Sequence, residues 1–492
     1  MSGRVLNVAL ALSTAVLLVL LFPPFGFVWF APLALSPLLV ACARDKSRRS
    51  RFVLGCAAGF IYWFGLCHWI QWTIGHHAGM SGGVAWFCFT LLCLVKSLQL
   101  GVFAALAGAV IHRWYAVPAI AAMWVTTEWT HSWTGFEWLN LGNAASDMSL
   151  LLRLAPVTGV WGISFCFALM ATVIASLVMR LHRHPALWLL AFPFLFLFPD
   201  LPAERKGAEG AVVVQPNIDD ESVWTQDLVE STERQMRLFS LSVAGRDHGT
   251  AIIVWPEVPA PFYESDPDFM GLVSSIAKQA QAGVLTGVVA RSAPKGPPLN
   301  SALLIGEDGN RISRYDKVNL VPFGEFVPWP FGLVTEKIST EAGDFAPGRK
   351  VVVSKLDGHS IGTFICYESV FPSYIRQFAA NGAQVLFNIS NDSWFGKTAA
   401  RYQHLLIVRM RAVENGRWIV RSTNNGVTGA IDPAGRVEST LPENQEAAAR
   451  VHYSYVKTQT FYTRHSDWFV LLCAITAAAG VLGVALPARY RP

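Results

Sequence analysis

The chain has 492 residues, of which 52% are hydrophobic and only 15% charged, and its formal net charge is +5. That composition is too apolar for an ordinary water-soluble protein of two or three domains. The small basic excess points to no partner by itself, and no long basic run occurs, so a nucleic-acid partner is not indicated.

The apolar excess is concentrated in residues 1 to about 200 and again in 467–486, whereas roughly 205–460 reads as a mixed aqueous domain. A spanning helix needs about 20 apolar residues, with about 17 to 25 tolerated. Taken in chain order, candidate spans are 5–22, 25–42, 52–74, 83–111, 116–129, 156–179, 186–201 and 468–486. The fifth and seventh are short and carry Pro118 and Pro193. The first run lacks a small-x-small cleavage site after Phe22, and further spans follow at once, so it reads as a retained helix rather than a signal peptide.

Basic residues in the short loops set the orientation. Arg4, then Arg44, Lys46, Arg48, Arg49 and Arg51, then Arg113, then Arg180 and Arg183, then Arg489 and Arg491 all fall on one side. The opposite short loops hold little more than Arg153. The positive-inside bias therefore predicts cytoplasmic termini and an aqueous domain outside the cytoplasm. Seven of the eight cysteines lie in or beside the spans, where a thiol behaves as a small hydrophobe. Cys366 alone belongs to the aqueous domain, so it has no disulfide partner there.

From Gly210 onward, short β-rich runs alternate with helical stretches. The runs are "AVVVQP", "AIIVWPE", "GVLTGVV", "SALLIGEDG", "IGTFICYE", "AQVLFNISN", "WIVRSTNNG" and "TGAIDPAG". Helices are predicted over 228–244, 266–282, 372–380 and 402–415, the second opening on a Ser-Asp-Pro-Asp cap. The expected class is a polytopic helical bundle of about eight spans plus an α/β domain, layered α-β-β-α. Expected boundaries are 1–204 for the membrane domain, 205–460 for the α/β domain and 461–492 for the last helix and tail. No GxGxxG, P-loop, paired CxxC or HExxH occurs, so no nucleotide or zinc cofactor is expected.

Three apolar runs stop at an ionisable residue: "VWPEVP" at Glu257, "RYDKVNLVPFGEFVP" at Lys317 with Glu325 beyond it, and "FICYES" at Cys366. Strand ends and the loops after them are where α/β folds hold chemistry, because the sheet fixes the side chain while its tip reaches a cleft. A free thiol is only a few per cent thiolate at neutral pH, so Cys366 needs a base, for which Glu257 is the candidate. Adding a thiolate to a carbonyl creates an oxyanion, which the Lys317 ammonium and the N–H groups after Cys366 would receive. Each residue also has a plainer reading: a packed thiol, a solvated turn lysine, a helix-capping glutamate. Only their joint occurrence favours chemistry.

"WPE", "YDKVNLVPFGEFVP", "CYE" and "NISNDSWFG" resemble the signatures of the nitrilase superfamily, and in their longer form those of its membrane-embedded apolipoprotein N-acyltransferase branch. The resemblance extends over the whole chain and implies a nitrilase-like catalytic domain between membrane helices. It implies a ping-pong acyl transfer, with a phospholipid acyl donor and a diacylglyceryl-modified apolipoprotein acceptor. Glu257, Lys317 and Cys366 would be catalytic, Glu325 a further carboxylate at the site, and Tyr367 and Glu368 would stand behind the nucleophile. Glu325 would orient Lys317 or simply hold its own loop. By the same resemblance Trp224 and Trp394 would line the substrate entrance, and Gly135 and Trp138 would position a lipid. The apolar loop from Trp329 to Val334 would dip into the membrane interface. Lys96, within a span, must be paired or functional. The competing reading is a membrane-tethered amidase that uses the same three residues on a small amide or nitrile.

Overall fold

The structure is a computed structural model that describes residues 3–77, 81–181, 184–219, 222–245, 249–293, 295–322, 324–326 and 345–485. The chain divides into two compact units: a helical one of residues 1–71, 82–201 and 465–492, and an α/β one of 72–81 and 202–464.

In the helical unit α1 is Gly3–Leu20, α2 Ser36–Arg44, α3 Arg48–Cys67, α5 Gly82–Val110, α6 Ala116–Trp129, α7 Ser149–Leu152, α8 Ala155–Thr158, α9 Val160–Val178 and α15 Trp468–Ala485. Helix α4, Trp69–His77, straddles the division between the units. Helices α1, α3, α5 and α9 are long and apolar enough to cross a membrane. The other predicted spans are shorter or broken. Residues 25–42 form a 3-10 turn over Val28–Leu33 and then α2, the turn holding Pro32 and the helix opening on Pro37. Residues 186–201 are a 3-10 helix, Pro185–Leu197, interrupted by Pro193. A ring without an N–H removes one ladder bond each time and stops an α-helix from continuing. The sixth span breaks at Gly159, whose φ of +67° a residue with a Cβ rarely adopts, leaving α8 before it and α9 after.

Helices α3 and α5 pack closely through small residues; a Cβ on Gly55 would come 2.5 Å from the Leu100 carbonyl oxygen. Lys96 on α5 is fully buried and paired: its Nζ donates to the Phe136 carbonyl at 2.8 Å and lies 4.6 Å from the centre of the Trp63 ring. That satisfies the ammonium inside the bundle, as an intramembrane cation requires.

Among the described residues the α/β unit contains two six-stranded sheets in the orders β12-β1-β2-β3-β4-β5 and β11-β10-β9-β8-β7-β6. The strands of the first are β1 Glu209–Gln215, β2 Thr250–Val254, β3 Gly283–Arg291, β4 Pro298–Ile305, β5 Arg311–Asp316 and β12 Ala447–Tyr453. Those of the second are β6 Val353–Leu356, β7 His359–Ile365, β8 Val385–Ser390, β9 Ile419–Thr423, β10 Gly429–Ile431 and β11 Val437–Thr440. The middle strands pair in parallel, β1 with β2, β2 with β3, β7 with β8 and β8 with β9, and the outer ones antiparallel. Buried strands such as "AVVVQ" are apolar on both faces because one face meets helices and the other meets the second sheet. Val212 and Val214 share one buried apolar cluster with Met236 of α10 (Gln226–Ala244) and with Phe269, Val273 and Ile276 of α11 (Pro267–Ala280). On the second sheet lie α12, Pro372–Ala380, and α13, Ala400–Asn415, while α14 is Phe461–His465. The sheets meet through contacts such as the Phe387 and Tyr453 rings and the Ser422 hydroxyl, which donates to the Val214 carbonyl at 3.0 Å.

Candidate active site

The site is assembled from strand ends. Trp255 and Pro256 carry the chain from β2 to Glu257, Lys317 follows β5, Cys366 follows β7 and Asn391 follows β8. Strands β2, β3 and β5 share one direction, and β7 and β8 share one, so these ends collect at one edge of each sheet. Antiparallel β4 brings the start of its strand to the same edge, which places Asn300 beside Lys317; the Lys317 N–H donates to the Asn300 carbonyl at 2.8 Å. The Glu257 turn lies directly on β3. A Cβ at Gly287 would stand 2.3 Å from the Val258 nitrogen, so only glycine lets the turn approach this closely.

Lys317, 1% exposed, is held between two carboxylates. Its Nζ lies 3.0 Å from Glu257 Oε1 and 2.9 Å from Glu325 Oε2. Asn300 Nδ2 bridges the same pair, donating to Glu257 Oε1 at 2.7 Å and Glu325 Oε1 at 2.6 Å. Backbone donors add to these contacts: Glu257 Oε2 accepts from the Asn391 N–H at 2.9 Å, and Glu325 Oε2, already paired with Lys317, from the Val321 N–H at 2.8 Å. Burial alone would depress the lysine, but the charges of Glu257 and Glu325 outweigh it and hold its pKa above the ordinary lysine value. The ammonium is thus permanent, and each carboxylate has a fixed orientation.

Cys366 is 5% exposed and sits at φ +48°, left-handed backbone that a non-glycine residue adopts only under constraint. Burial first, and then the Glu257 carboxylate, push the thiol pKa well above its usual value, with Lys317 only partly offsetting them. In the resting protein the sulfur is therefore a thiol with a carboxylate and an ammonium acting on it. Glu368 anchors the turn that follows the cysteine. Its Oε1 accepts from the Val318 N–H at 2.8 Å and the Tyr315 hydroxyl at 2.5 Å, and its Oε2 from the Ile365 N–H at 2.8 Å. This one side chain ties the Cys366 turn to the backbone after Lys317. Burial pushes its pKa up to about 7 against the pull of these donors.

The other residues singled out from sequence are dispersed. Tyr367 is buried edge-on to the Phe371 ring. Trp394 stacks on His77 with ring centres 4.3 Å apart and lies against Gly324, next to Glu325. Trp224 is half-buried against the core shared by α10, α11 and the first sheet. Trp138 belongs to the helical unit, fully buried between Phe136 and Trp69. Gly135, φ +67°, ends a 3-10 turn in that unit. The loop from Trp329 to Val334 lies outside the described residues.

Sequence reasoning missed Asn300 and Asn391. The first sits within a strand and reads as ordinary polar punctuation; the second acts through its backbone, although the quoted "NISND" contains it. It also missed a buried network of Asp392, His404 and Arg421 beside Cys366. A cleft of about 710 Å³ opens among Trp72, Asn217, Ser393, Lys397 and Arg401; Glu257, Lys317 and Cys366 do not line it. Among the described residues no group of three or more His, Cys, Asp or Glu is placed to hold a metal ion.

The arrangement of base, cation and thiol suits attack on a carbonyl. Residues 211–460 match the carbon-nitrogen hydrolase family, and residues 14–173 match the apolipoprotein N-acyltransferase N-terminal domain. The chain is 31% identical over 491 residues to the apolipoprotein N-acyltransferase of Geobacter metallireducens, covering 95% of this chain and 93% of that one. It is 33% identical to that of Azotobacter vinelandii, covering 93% and 91%, and 35% identical to that of Pseudomonas aeruginosa, covering 74% and 72%. Among solved structures, an amidase of the nitrilase superfamily from Nesterenkonia aligns at 18% identity and a TM-score of 0.40, covering 55% of this chain and 97% of that one. With relatives of that similarity along nearly its whole length, the chain belongs to the apolipoprotein N-acyltransferase family.

Proposed function

We propose that this protein moves an acyl chain from a membrane phospholipid to the α-amine of a diacylglyceryl-modified cysteine at an apolipoprotein N-terminus, through a thioester on Cys366. The observation that carries the reading is Lys317 clamped between Glu257 and Glu325 beside the strained Cys366. In the first half-reaction Cys366 Sγ bonds to the ester carbonyl carbon while Glu257 takes the thiol proton. The carbonyl oxygen becomes anionic opposite the Lys317 ammonium and the backbone N–H after Cys366. As the C–O bond breaks, Glu257 returns that proton to the departing lysophospholipid oxygen. In the second half-reaction the amine nitrogen attacks the thioester carbon, the C–S bond breaks, and Glu257 carries the amine proton to the leaving sulfur.

Glu325 keeps Lys317 in place, and Glu368 with Tyr367 supports the turn that carries the nucleophile. Trp394 and Trp224, on the α/β unit, and Trp138, on the helical one, are the lipid contacts that the family resemblance implies. We place the aqueous unit on the periplasmic side of the inner membrane with both termini cytoplasmic, on the strength of the eleven basic residues that share one side. Residues 1–204, 205–460 and 461–492 serve as membrane domain, catalytic domain and C-terminal anchor.

A chase experiment separates this reaction from hydrolysis of a small amide. Acylated full-length protein in mixed micelles is mixed with a diacylglyceryl-cysteine peptide. Transfer of the chain to the peptide amine, faster than its release to water, is expected; release of free fatty acid alone would favour a hydrolase.

A further inference from the structure

Beside Cys366 lies a buried polar network that the reaction scheme above does not use. His404, on α13, is fully buried. Its Nε2 lies 2.7 Å from the Ser369 hydroxyl and 3.2 Å from the Cys366 carbonyl oxygen. Its Nδ1 lies 3.1 Å from Arg421 Nη2 and 3.4 Å from Asp392 Oδ1. Arg421 Nη2 also spans both Asp392 oxygens at 2.8 Å each, and Ser390 Oγ donates to Asp392 Oδ1 at 2.9 Å.

The chemistry of the partners assigns the tautomer. A guanidinium only donates, so the 3.1 Å contact with Arg421 makes Nδ1 the acceptor, the Asp392 oxygen at 3.4 Å being too far for a charge-assisted bond from that nitrogen; a carbonyl only accepts, so the proton sits on Nε2. Burial, and then the Arg421 charge, lower the His404 pKa, which agrees with a neutral ring. An Nε2–H so fixed is a donor aimed at Cys366 O and Ser369 Oγ.

The carbonyl and the N–H of a trans peptide point in opposite directions from one rigid plane. Holding the Cys366 carbonyl on the His404 side therefore directs the Tyr367 N–H away from it. We propose that His404 is a positioning residue for acyl transfer: it anchors the Cys366 carbonyl, stabilises the left-handed backbone there, and so aims the Tyr367 N–H at the substrate oxyanion. Asp392 and Arg421 act one step further out, by setting the ring's tautomer. This inference rests on the acyl-transfer reading, since a hole for an oxyanion matters only where a carbonyl is attacked.

Two reactions of the same sulfur test it. Formation of the Cys366 thioester from phospholipid passes through an oxyanion. Reaction with methyl methanethiosulfonate does not: Cys366 Sγ bonds to the methylthio sulfur, methanesulfinate leaves, and no carbonyl takes part. His404→Gln keeps an N–H donor near the Nε2 position, and His404→Met fills similar space without one. With the full chain in mixed micelles, His404→Met is expected to slow thioester formation about a hundredfold, a loss typical of a misplaced oxyanion donor, while methanethiosulfonate reacts as in the parent. His404→Gln is expected to recover most of the acylation rate. Ser369→Ala, which removes the competing acceptor of the same Nε2–H, is expected to acylate at least as fast as the parent and decides the matter should His404→Met not fold. Parallel loss of both reactions, or undiminished acylation in His404→Met, would overturn the positioning role. So would loss of acylation alone in Ser369→Ala. A parent protein that forms no thioester would instead overturn the acyl-transfer reading, and this inference with it.

Discussion

Glu325→Gln isolates the clamp on Lys317. In the parent the ammonium lies 3.0 Å from Glu257 Oε1 and 2.9 Å from Glu325 Oε2, with all three groups buried. At an effective dielectric of about 20, each contact is worth roughly 5 kcal/mol of attraction before desolvation is counted. The amide retains one acceptor oxygen but no charge, so the ammonium is drawn towards Glu257 alone. Two consequences follow. Lys317 leaves the position that faces the reacting carbonyl, and Glu257 becomes its sole counter-ion. Loss of an oxyanion donor costs about a hundredfold to a thousandfold in rate, or about 3–4 kcal/mol of barrier. The fold should suffer less, because Lys317 still has one carboxylate partner and no buried charge is left alone. The assay is the time course of the Cys366 acyl-enzyme by intact-mass spectrometry in phospholipid micelles, with thermal unfolding of each variant alongside. An unchanged acylation rate in a folded Glu325→Gln protein would refute the clamp. A proportionate loss of fold and rate would assign Glu325 a purely structural role.

Because burial and Glu257 raise the Cys366 pKa, the thiol's reaction with methyl methanethiosulfonate should climb steadily from neutral to alkaline pH; a plateau near neutrality would contradict the charge environment described. Glu257→Gln should abolish thioester formation yet leave the fold intact, and acylation at the parent's rate would remove Glu257 from the base role. Burial alone would raise the Asp392 pKa, but the Arg421 charge outweighs it and holds the carboxyl well below the usual aspartate value. A carboxylate depressed in this way stabilises the fold above its unfolded pKa of about 4, and the contribution is lost as pH falls towards the folded value. Asp392→Asn, which leaves Arg421 without its buried partner, should therefore cost about 3–5 kcal/mol at neutral pH, and the gap from the parent should narrow in acid, as followed by denaturant unfolding at several pH values. A reporter fused after Arg491 should register a cytoplasmic terminus; an external signal would undo the span count.

The residues of the candidate site were legible because an apolar run that ends abruptly at an ionisable residue is a strong one-dimensional signal. Glu257, Lys317 and Cys366 stood out for that reason, and the predicted helix over 372–380 coincides with α12. The layered two-sheet class followed from strands apolar on both faces. What remained hidden depends on three-dimensional neighbours. Asn300 is set between two carboxylates by the register of β4 against β5, which no local pattern encodes. Asn391 contributes a main-chain N–H, to which side-chain reading is blind. Strand β12, "AAARVHY", has a single β-branched residue, Val451, among three alanines and an arginine, and is held by its pairing with β1. Hydropathy located the apolar segments, but Pro32, Pro193 and Gly159 decide where they stop being regular helices.

The central claim is that Cys366 carries the acyl chain. Full-length protein incubated with a phospholipid bearing an isotope-labelled acyl chain, then digested and analysed by mass spectrometry, should show the labelled chain on the peptide containing Cys366. The adduct should be released by neutral hydroxylamine, as a thioester is. No labelled Cys366 peptide, or an equal adduct in Cys366→Ala, would contradict the account.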